Sequence, residues 1–326
     1  ILWRKRSVVM KKVDVPFIYS PIYSELNLPP RHRYPIEKYR LLKNWAIKHG
    51  AKEHQWHRPS ALNWQQVART HCSGYIEQLR QNSMEKTLWR RIGFPWSESL
   101  LQRTLTSAGG TLLTTELALT RGIAIHFSGG YHHAHKDWGS GFCLINDLAI
   151  ACNELLLKYP SLKIAVLDTD VHQGDGTATL FANDDRVFTC SLHGERNFPF
   201  SKVESDLDKP LAKHTSDEQY LDTLQETLQF IKRDVKPDLI LYDAGVDIYQ
   251  RDELGHLNIS LAGIFQRDLS VLGFAKREDI PLAAVIGGGY QRNLDRLVRA
   301  HAQLLRASYH VYTESQLLTE GKTYEV

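Results

Sequence analysis

Cysteine is scarce in this 326-residue sequence. There are four, Cys72, Cys143, Cys152 and Cys190, scattered with no C-x-x-C pair. That spacing argues against a disulfide framework and against a thiolate zinc site. Long apolar runs are missing as well: no stretch approaches the ~20 residues needed to span a bilayer. The opening residues Ile1 to Val9 lack the apolar core of a secretory signal. The chain therefore reads as soluble, cytoplasmic and without a membrane partner. Neither sign of charge dominates, with 40 Lys+Arg against 37 Asp+Glu and a net charge of +3. With no dense basic stripe, nucleic acid is not expected as a direct partner. No repeat, low-complexity tract or long Pro/Gly/Ser linker divides the chain, so one large domain is expected although the length would admit two.

Met10-Lys11-Lys12 reads as a natural start, which sets residues 1–9 apart as upstream sequence and leaves 10–326 as the domain. From there, short aliphatic runs alternate with stretches of helical period. Val15 to Tyr19, Ile123 to Phe127, Lys163 to Asp168, Val187 to Leu192, Leu239 to Asp243 and Leu282 to Ile286 read as strands. Most are nearly continuous in apolar residues, which suits strands covered on both faces. Ser99 to Thr120, Asp147 to Lys158, Ser216 to Arg233, Ser260 to Lys276 and Gln291 to Ser308 supply helices to cover them. Asn82 to Glu98 reads as a looser surface segment. The expected architecture is a parallel sheet sandwiched by helices, with ligands bound beyond the carboxyl ends of the strands.

Chemistry-bearing residues cluster at those ends. Ser128-Gly129-Gly130-Tyr131-His132-His133 follows one strand, and Asp168-Thr169-Asp170-Val171-His172-Gln173-Gly174-Asp175-Gly176 closes another. Asp243 to Asp247 and Gly287-Gly288-Gly289-Tyr290 close two more. So dense a set of carboxylates is costly to bury without a cation. In an extended segment residues two apart point the same way, so Asp170 and His172 can face a common point, with Asp247 as third ligand. Two carboxylates and one imidazole suit zinc, the favoured assignment, or iron(II) or cobalt. An isolated D-x-H more often just caps a loop; the adjacent His132-His133 pair and the other strand ends favour a site.

Gly-Gly-Tyr-His-His, Gly-x-Gly-Phe-Cys, Asp-x-Asp-x-His-x-Gly-Asp-Gly, Ala-Gly-x-Asp and Gly-Gly-Gly-Tyr resemble, in this order, the motifs of the histone deacetylase family. The resemblance runs from about Ile18 to the helix after Tyr290. Asp247 to Ile264, and Arg91 to Ser97 followed by Ala108 to Thr111, most resemble the class IV branch and its bacterial relatives. The resemblance implies a single α/β domain, of arginase/deacetylase type, with a mostly parallel eight-stranded sheet. It implies a zinc-dependent hydrolase that removes acetyl or longer acyl groups from lysine side chains in proteins or peptides. Asp170, His172 and Asp247 match the metal ligands, and His132 and His133 the tandem base and acid, backed by Asp168 and Asp175 respectively. His133 is expected to handle the proton and His132 to act as an electrostatic neighbour. Tyr290 matches the phenol that donates to the oxyanion. Gly141, Phe142 and Phe198 match the walls of a narrow tunnel, with Phe200 an alternative to Phe198, and Leu254 matches its gate. Asp168, Asp170, His172, Ser191 and Leu192 match a structural potassium site, and the carbonyls of Phe181 and Val187 a second monovalent site.

A binuclear ureohydrolase shares the architecture but needs further carboxylates, where this chain has Gly174, Gly245 and Tyr249. An acetylpolyamine hydrolase would want an acidic gate, where this chain has Leu254 beside Glu253. A non-catalytic acyl-lysine binding module would tolerate loss of Tyr290 or His133, and both are present. Oligomeric state is not legible.

Overall fold

The computed structural model describes residues 14–313. The reading of Met10 as a start concerns residues outside that range. Strand β1 (Phe17–Ile18) leads through helix α1 (Lys38–Lys48) to the two-residue strand β2 (Trp56–His57). Three short helices follow, α2 (Trp64–Val67), α3 (Ser73–Gln81) and α4 (Lys86–Ile92), and then the long α5 (Glu98–Arg121). Strand and helix alternate from there: β3 (Ile123–His126), α6 (Asp147–Lys158), β4 (Ile164–Asp168), α7 (Asp175–Phe181) and β5 (Val187–Gly194). The edge strand β6 (Leu207–Leu211) precedes α8 (Asp217–Phe230), which runs into a π turn at Ile231–Val235. Last come β7 (Leu239–Asp243), α9 (Leu261–Arg277), β8 (Leu282–Val285) and α10 (Leu294–Tyr312).

The eight strands form one sheet in the order β2-β1-β3-β8-β7-β4-β5-β6, and every pairing is parallel. The expected sheet is thus all-parallel rather than mostly so. Its central strands are apolar on both sides for a visible reason. Ile164 and Val166 of β4, Leu239 and Leu241 of β7, and Ala283 and Val285 of β8 enter one core with α6 residues Leu148 and Cys152. The alternate residues Leu167, Ile240, Tyr242 and Ala284 enter the other core, with Val271 of α9 and Leu304 of α10. A strand with period-two side chains buried on both faces must be apolar throughout.

The main helices start where polar caps end the preceding loops. Ser97 Oγ accepts from Leu100 N at 3.1 Å, Asn146 Oδ1 from Ala149 N at 2.9 Å and Ser260 Oγ from Gly263 N at 3.0 Å. Each cap satisfies an otherwise orphaned amide and contributes ~1 kcal/mol. All six strands read from sequence are present, as are the five helices, with ends shifted by a few residues. Asn82 to Glu98 is a correction: it contains α4, ended by Gly93 in a left-handed conformation. Phe94, just after its end, packs on Phe142 with ring centroids 5.4 Å apart. Among the described residues no helix is long and apolar enough to cross a membrane.

Candidate functional site

The parallel register places polar residues side by side. Asp168, the last residue of β4, is opposite Ser191 of β5 and Asp243 of β7. Chain direction and sheet register therefore deliver Asp168, Asp243 and the loops that follow to one crevice.

His132 and His133 lie in the loop after β3, and both are buried. Two amides hold that loop: Tyr131 N donates to Asp147 Oδ1 at 2.7 Å and Gly130 N to Asp147 Oδ2 at 3.2 Å. His132 Nδ1 lies 2.7 Å from Asp168 Oδ2, and His133 Nδ1 lies 2.7 Å from Asp175 Oδ1. Each carboxylate thus holds the Nδ1–H tautomer of its own imidazole. Both rings turn Nε2 inward, 3.2 Å apart. Gly141 is needed beside them because a Cβ there would stand 2.6 Å from His133 Cδ2, and its φ is +54°.

Asp170, His172 and Asp247 are buried with ligand atoms all within 4.8 Å of one another. His172 Nδ1 lies 3.0 Å from both Asp170 Oδ1 and Asp247 Oδ2. The outward oxygens are fixed by backbone: Gly288 N donates to Asp170 Oδ2 at 3.0 Å and Val171 N to Asp247 Oδ1 at 2.9 Å. One ring nitrogen cannot donate well to two carboxylates, whereas a cation at the centre satisfies all three. Without it, burial and the repulsion of Asp170 push the Asp247 carboxyl up to about 7. The residues therefore fit a small divalent ion such as zinc, iron(II) or cobalt. A ureohydrolase-like second carboxylate has no room at position 245, since a Cβ there would meet Asp170 Oδ2 at 2.3 Å.

Tyr290 sits with its ring centroid 6.2 Å from that of His172 and 5.6 Å from that of Phe142. Its backbone N–H donates to Asp252 Oδ2 at 2.8 Å, and burial holds the phenol well above its usual pKa, so it stays a donor. Phe198 packs edge-on to His133 at 4.9 Å, whereas Phe200 is 89 % exposed. Of the two aromatic alternatives, Phe198 is therefore the one beside the histidines. The Leu254 carbonyl accepts from Nδ2 of Asn197, the residue before Phe198, at 2.8 Å. Ser191 and Leu192 are buried next to Asp168, with Ser191 Oγ 3.0 Å from His193 Nδ1. Phe181 and Val187 flank a short turn in which Asp184 N donates to the Phe181 carbonyl at 3.0 Å.

Sequence reasoning gave no role to three residues here. Asp243 joins His132 and Asp168 in a second cluster; its Oδ2 has no partner, and burial with the nearby Asp168 holds its carboxyl well above the usual range. Lys38 is buried and donates to the Gly287 carbonyl at 2.9 Å, with its pKa brought down by burial to about 8. His135 reaches the second oxygen of Asp175, with Nε2 3.2 Å from Oδ2. For Asp243 and His135 the available signal was their place in the same strand-end loops.

A family profile described as histone deacetylase domain matches residues 32–305. An uncharacterised protein of the cyanobacterium Picosynechococcus sp. is 42 % identical over 298 residues, 91 % of this chain and 99 % of that protein. Histone deacetylase 2 of Arabidopsis thaliana is 28 % identical over 303 residues, 89 % of this chain and 78 % of its own. A crystal structure of a deacetylase homologue in complex with SAHA superposes with a TM-score of 0.79 at 24 % identity, covering 93 % of this chain and 85 % of the other. With the profile spanning most of the chain and the motifs in order, this protein belongs to the histone deacetylase family.

Proposed function

We propose that this deacetylase-family hydrolase is a zinc-dependent lysine deacetylase that acts on acetylated lysine in proteins or peptides. The observation that carries the reading is convergence. A three-residue metal cluster, a carboxylate-backed histidine pair and a phenol surround one point between Asp170, His133 and Tyr290.

Asp170, His172 and Asp247 would hold the zinc. When bound, zinc polarises a substrate carbonyl as a Lewis acid and lowers the pKa of a water to ~7. The remaining work falls to the protein's own groups. Burial and the nearby His132 bring the His133 imidazole down to about 4, even with Asp175 opposing, so at neutral pH it is a vacant base. Its Nε2 takes a proton from the attacking water as the new C–O bond forms, and returns it to the lysine nitrogen as the C–N bond breaks. Burial also disfavours charge on His132, but Asp168, Asp170 and Asp243 outweigh it and raise that pKa well above the usual value. A cationic His132 beside the reacting oxygens favours the negative charge that develops there. Tyr290 Oη donates to the same oxyanion. Phe142 and Phe198 line the approach for the lysine methylenes. Asp168, with Ser191 and the carbonyls of Asp170, His172 and Leu192, would hold a structural potassium ion that offsets the buried acid.

Tyr34, Gly130, Phe142, Gly288 and Tyr290 line one pocket together with His132 and Asp170, which supports a substrate reaching the metal cluster there. The uncharged gate at Leu254 supports a peptide over a free polyamine. Turnover of matched acetyl-, propionyl-, crotonyl- and myristoyl-lysine peptides and of acetylpolyamines tests the reading. Acetyl-lysine peptide is expected to be the best substrate; polyamine turnover alone would contradict it.

A further inference from the structure

Asp175 does not serve His133 alone. Its Oδ1 accepts from His133 Nδ1 at 2.7 Å, and its Oδ2 lies 3.2 Å from His135 Nε2. Those two bonds engage both carboxylate oxygens, one toward each ring, and so favour one orientation of the carboxylate. Were Oδ2 without a donor, the carboxylate could turn about its Cβ–Cγ bond, and the ring it orients would turn with it.

His135 is itself pinned in a way its neighbours explain. Its imidazole stacks on the Trp138 indole with centroids 3.7 Å apart and planes 16° apart. The Arg91 guanidinium lies 3.6 Å from the Trp138 ring centroid. The His135 backbone N–H donates to the Trp138 carbonyl at 2.8 Å, and the His135 carbonyl accepts from His71 Nδ1 at 2.8 Å. The other ring nitrogen of His71 accepts from Asn146 N at 3.0 Å. A ring held by stacking on a flat partner and by two backbone bonds presents its Nε2–H along a fixed line. The partner on that line is the otherwise free oxygen of a 3 %-exposed carboxylate.

We infer that His135 is a positioning residue for the hydrolytic reaction: by holding Asp175 Oδ2 it fixes the carboxylate that orients the His133 base. This rests on the deacetylase reading above, in which His133 moves the proton. His135 is in neither the metal cluster nor the pocket lining, and the hydrogen bond its ring makes to the site is the one to Asp175. Groups that directly orient a working imidazole, as Asp175 does for His133, commonly matter by 10–100-fold in activity, and His135 acts one bond further out, at the low end of that range.

Two substitutions separate the hydrogen bond from the packing. His135→Phe keeps a flat ring on Trp138 and loses the donor; His135→Gln keeps a donor at a similar reach. Expected for His135→Phe is a fall in kcat of about 10-fold with KM unchanged, and recovery to within about 3-fold for His135→Gln, the smaller loss expected when the bond is kept. The second readout needs no turnover. The low-field proton resonance of His133 Nδ1–H, assigned by its loss in His133→Ala, is expected to shift or broaden in His135→Phe and to return in His135→Gln. Thermal unfolding reports whether each variant is folded. An unchanged kcat and resonance in a folded His135→Phe protein would overturn the inference, as would an equal loss in both variants. Absence of turnover in the unsubstituted protein would instead contradict the deacetylase reading, leaving the resonance arm to decide the role of His135.

Discussion

Residue by residue, most of the rate in the proposed reaction comes from groups that meet the developing oxyanion. Tyr290 is held for this from its backbone, through Asp252, and its phenol stays protonated because burial opposes the phenolate. Removing one such donor typically costs 10²–10³-fold, ~3 kcal/mol. Tyr290→Phe is expected to lower kcat by that factor while zinc content, measured by elemental analysis, stays at the unsubstituted level. A loss below about 3-fold, far short of one oxyanion donor, would take Tyr290 out of the reaction. The residues proposed for such roles stand out in sequence where they are written in neighbouring letters: His132-His133, Asp170-x-His172 and Gly-Gly-Gly-Tyr. Those whose role depends on a distant partner do not. Lys38 meets the Gly287 carbonyl across 249 residues, and nothing near Lys38 in sequence announces it.

At the scale of elements, the turn after β8 is a positioning device. Gly288 donates its N–H to Asp170, and a Cβ at that position would stand 2.3 Å from Asp170 Oδ2 and 2.5 Å from Asp247 Oδ2. Gly288→Ala therefore pushes on two of the proposed metal ligands at once. Its expected effect is a 10–100-fold loss of zinc affinity, read by competition with a chromophoric chelator. Unchanged affinity would show that the turn does not set the ligand geometry. The same scale explains what the hydrophobic pattern could reveal. Strands β4, β7 and β8 are apolar on both faces and announce themselves. Strand β6, Leu207-Asp208-Lys209-Pro210-Leu211, is a half-exposed edge with a proline, a pattern that reads as loop. Helix α4, seven residues long, is too short to show a period.

At the scale of the whole molecule, buried neutral histidines link folding to pH. Burial brings His71 down to about 4 and His126 to about 3, with Arg103 adding to the latter. Both have donors and acceptors that suit the neutral ring: His126 lies 2.9 Å from Tyr23 Oη and 3.0 Å from Thr111 Oγ1. Unfolded, each would titrate near ~6.5 and take up a proton that the folded state refuses. Their contribution is therefore fully present above pH ~6.5 and is lost as pH falls toward the folded values, on the order of 3 kcal/mol for His71. Urea denaturation between pH 7.5 and pH 4.5 checks this, a span chosen to bracket the unfolded value of ~6.5. Stability is expected to fall steadily below pH ~6.5, and less steeply in His71→Gln. An equal slope in both proteins would contradict the assignment. The sheet order that assembles these groups was open in the sequence, because the strands are nearly interchangeable in composition; their register, Asp168 against Ser191 and Asp243, is a property of the folded sheet.

In the proposed function, one metal held by Asp170, His172 and Asp247 makes this protein a lysine deacetylase. Turnover of an acetyl-lysine peptide by chelator-stripped protein, before and after one equivalent of zinc and in parallel with Asp170→Asn, tests it most directly. The account predicts negligible activity when stripped, recovery on adding zinc, and no recovery in Asp170→Asn. Full activity in the stripped protein, or equal recovery in the variant, would contradict it.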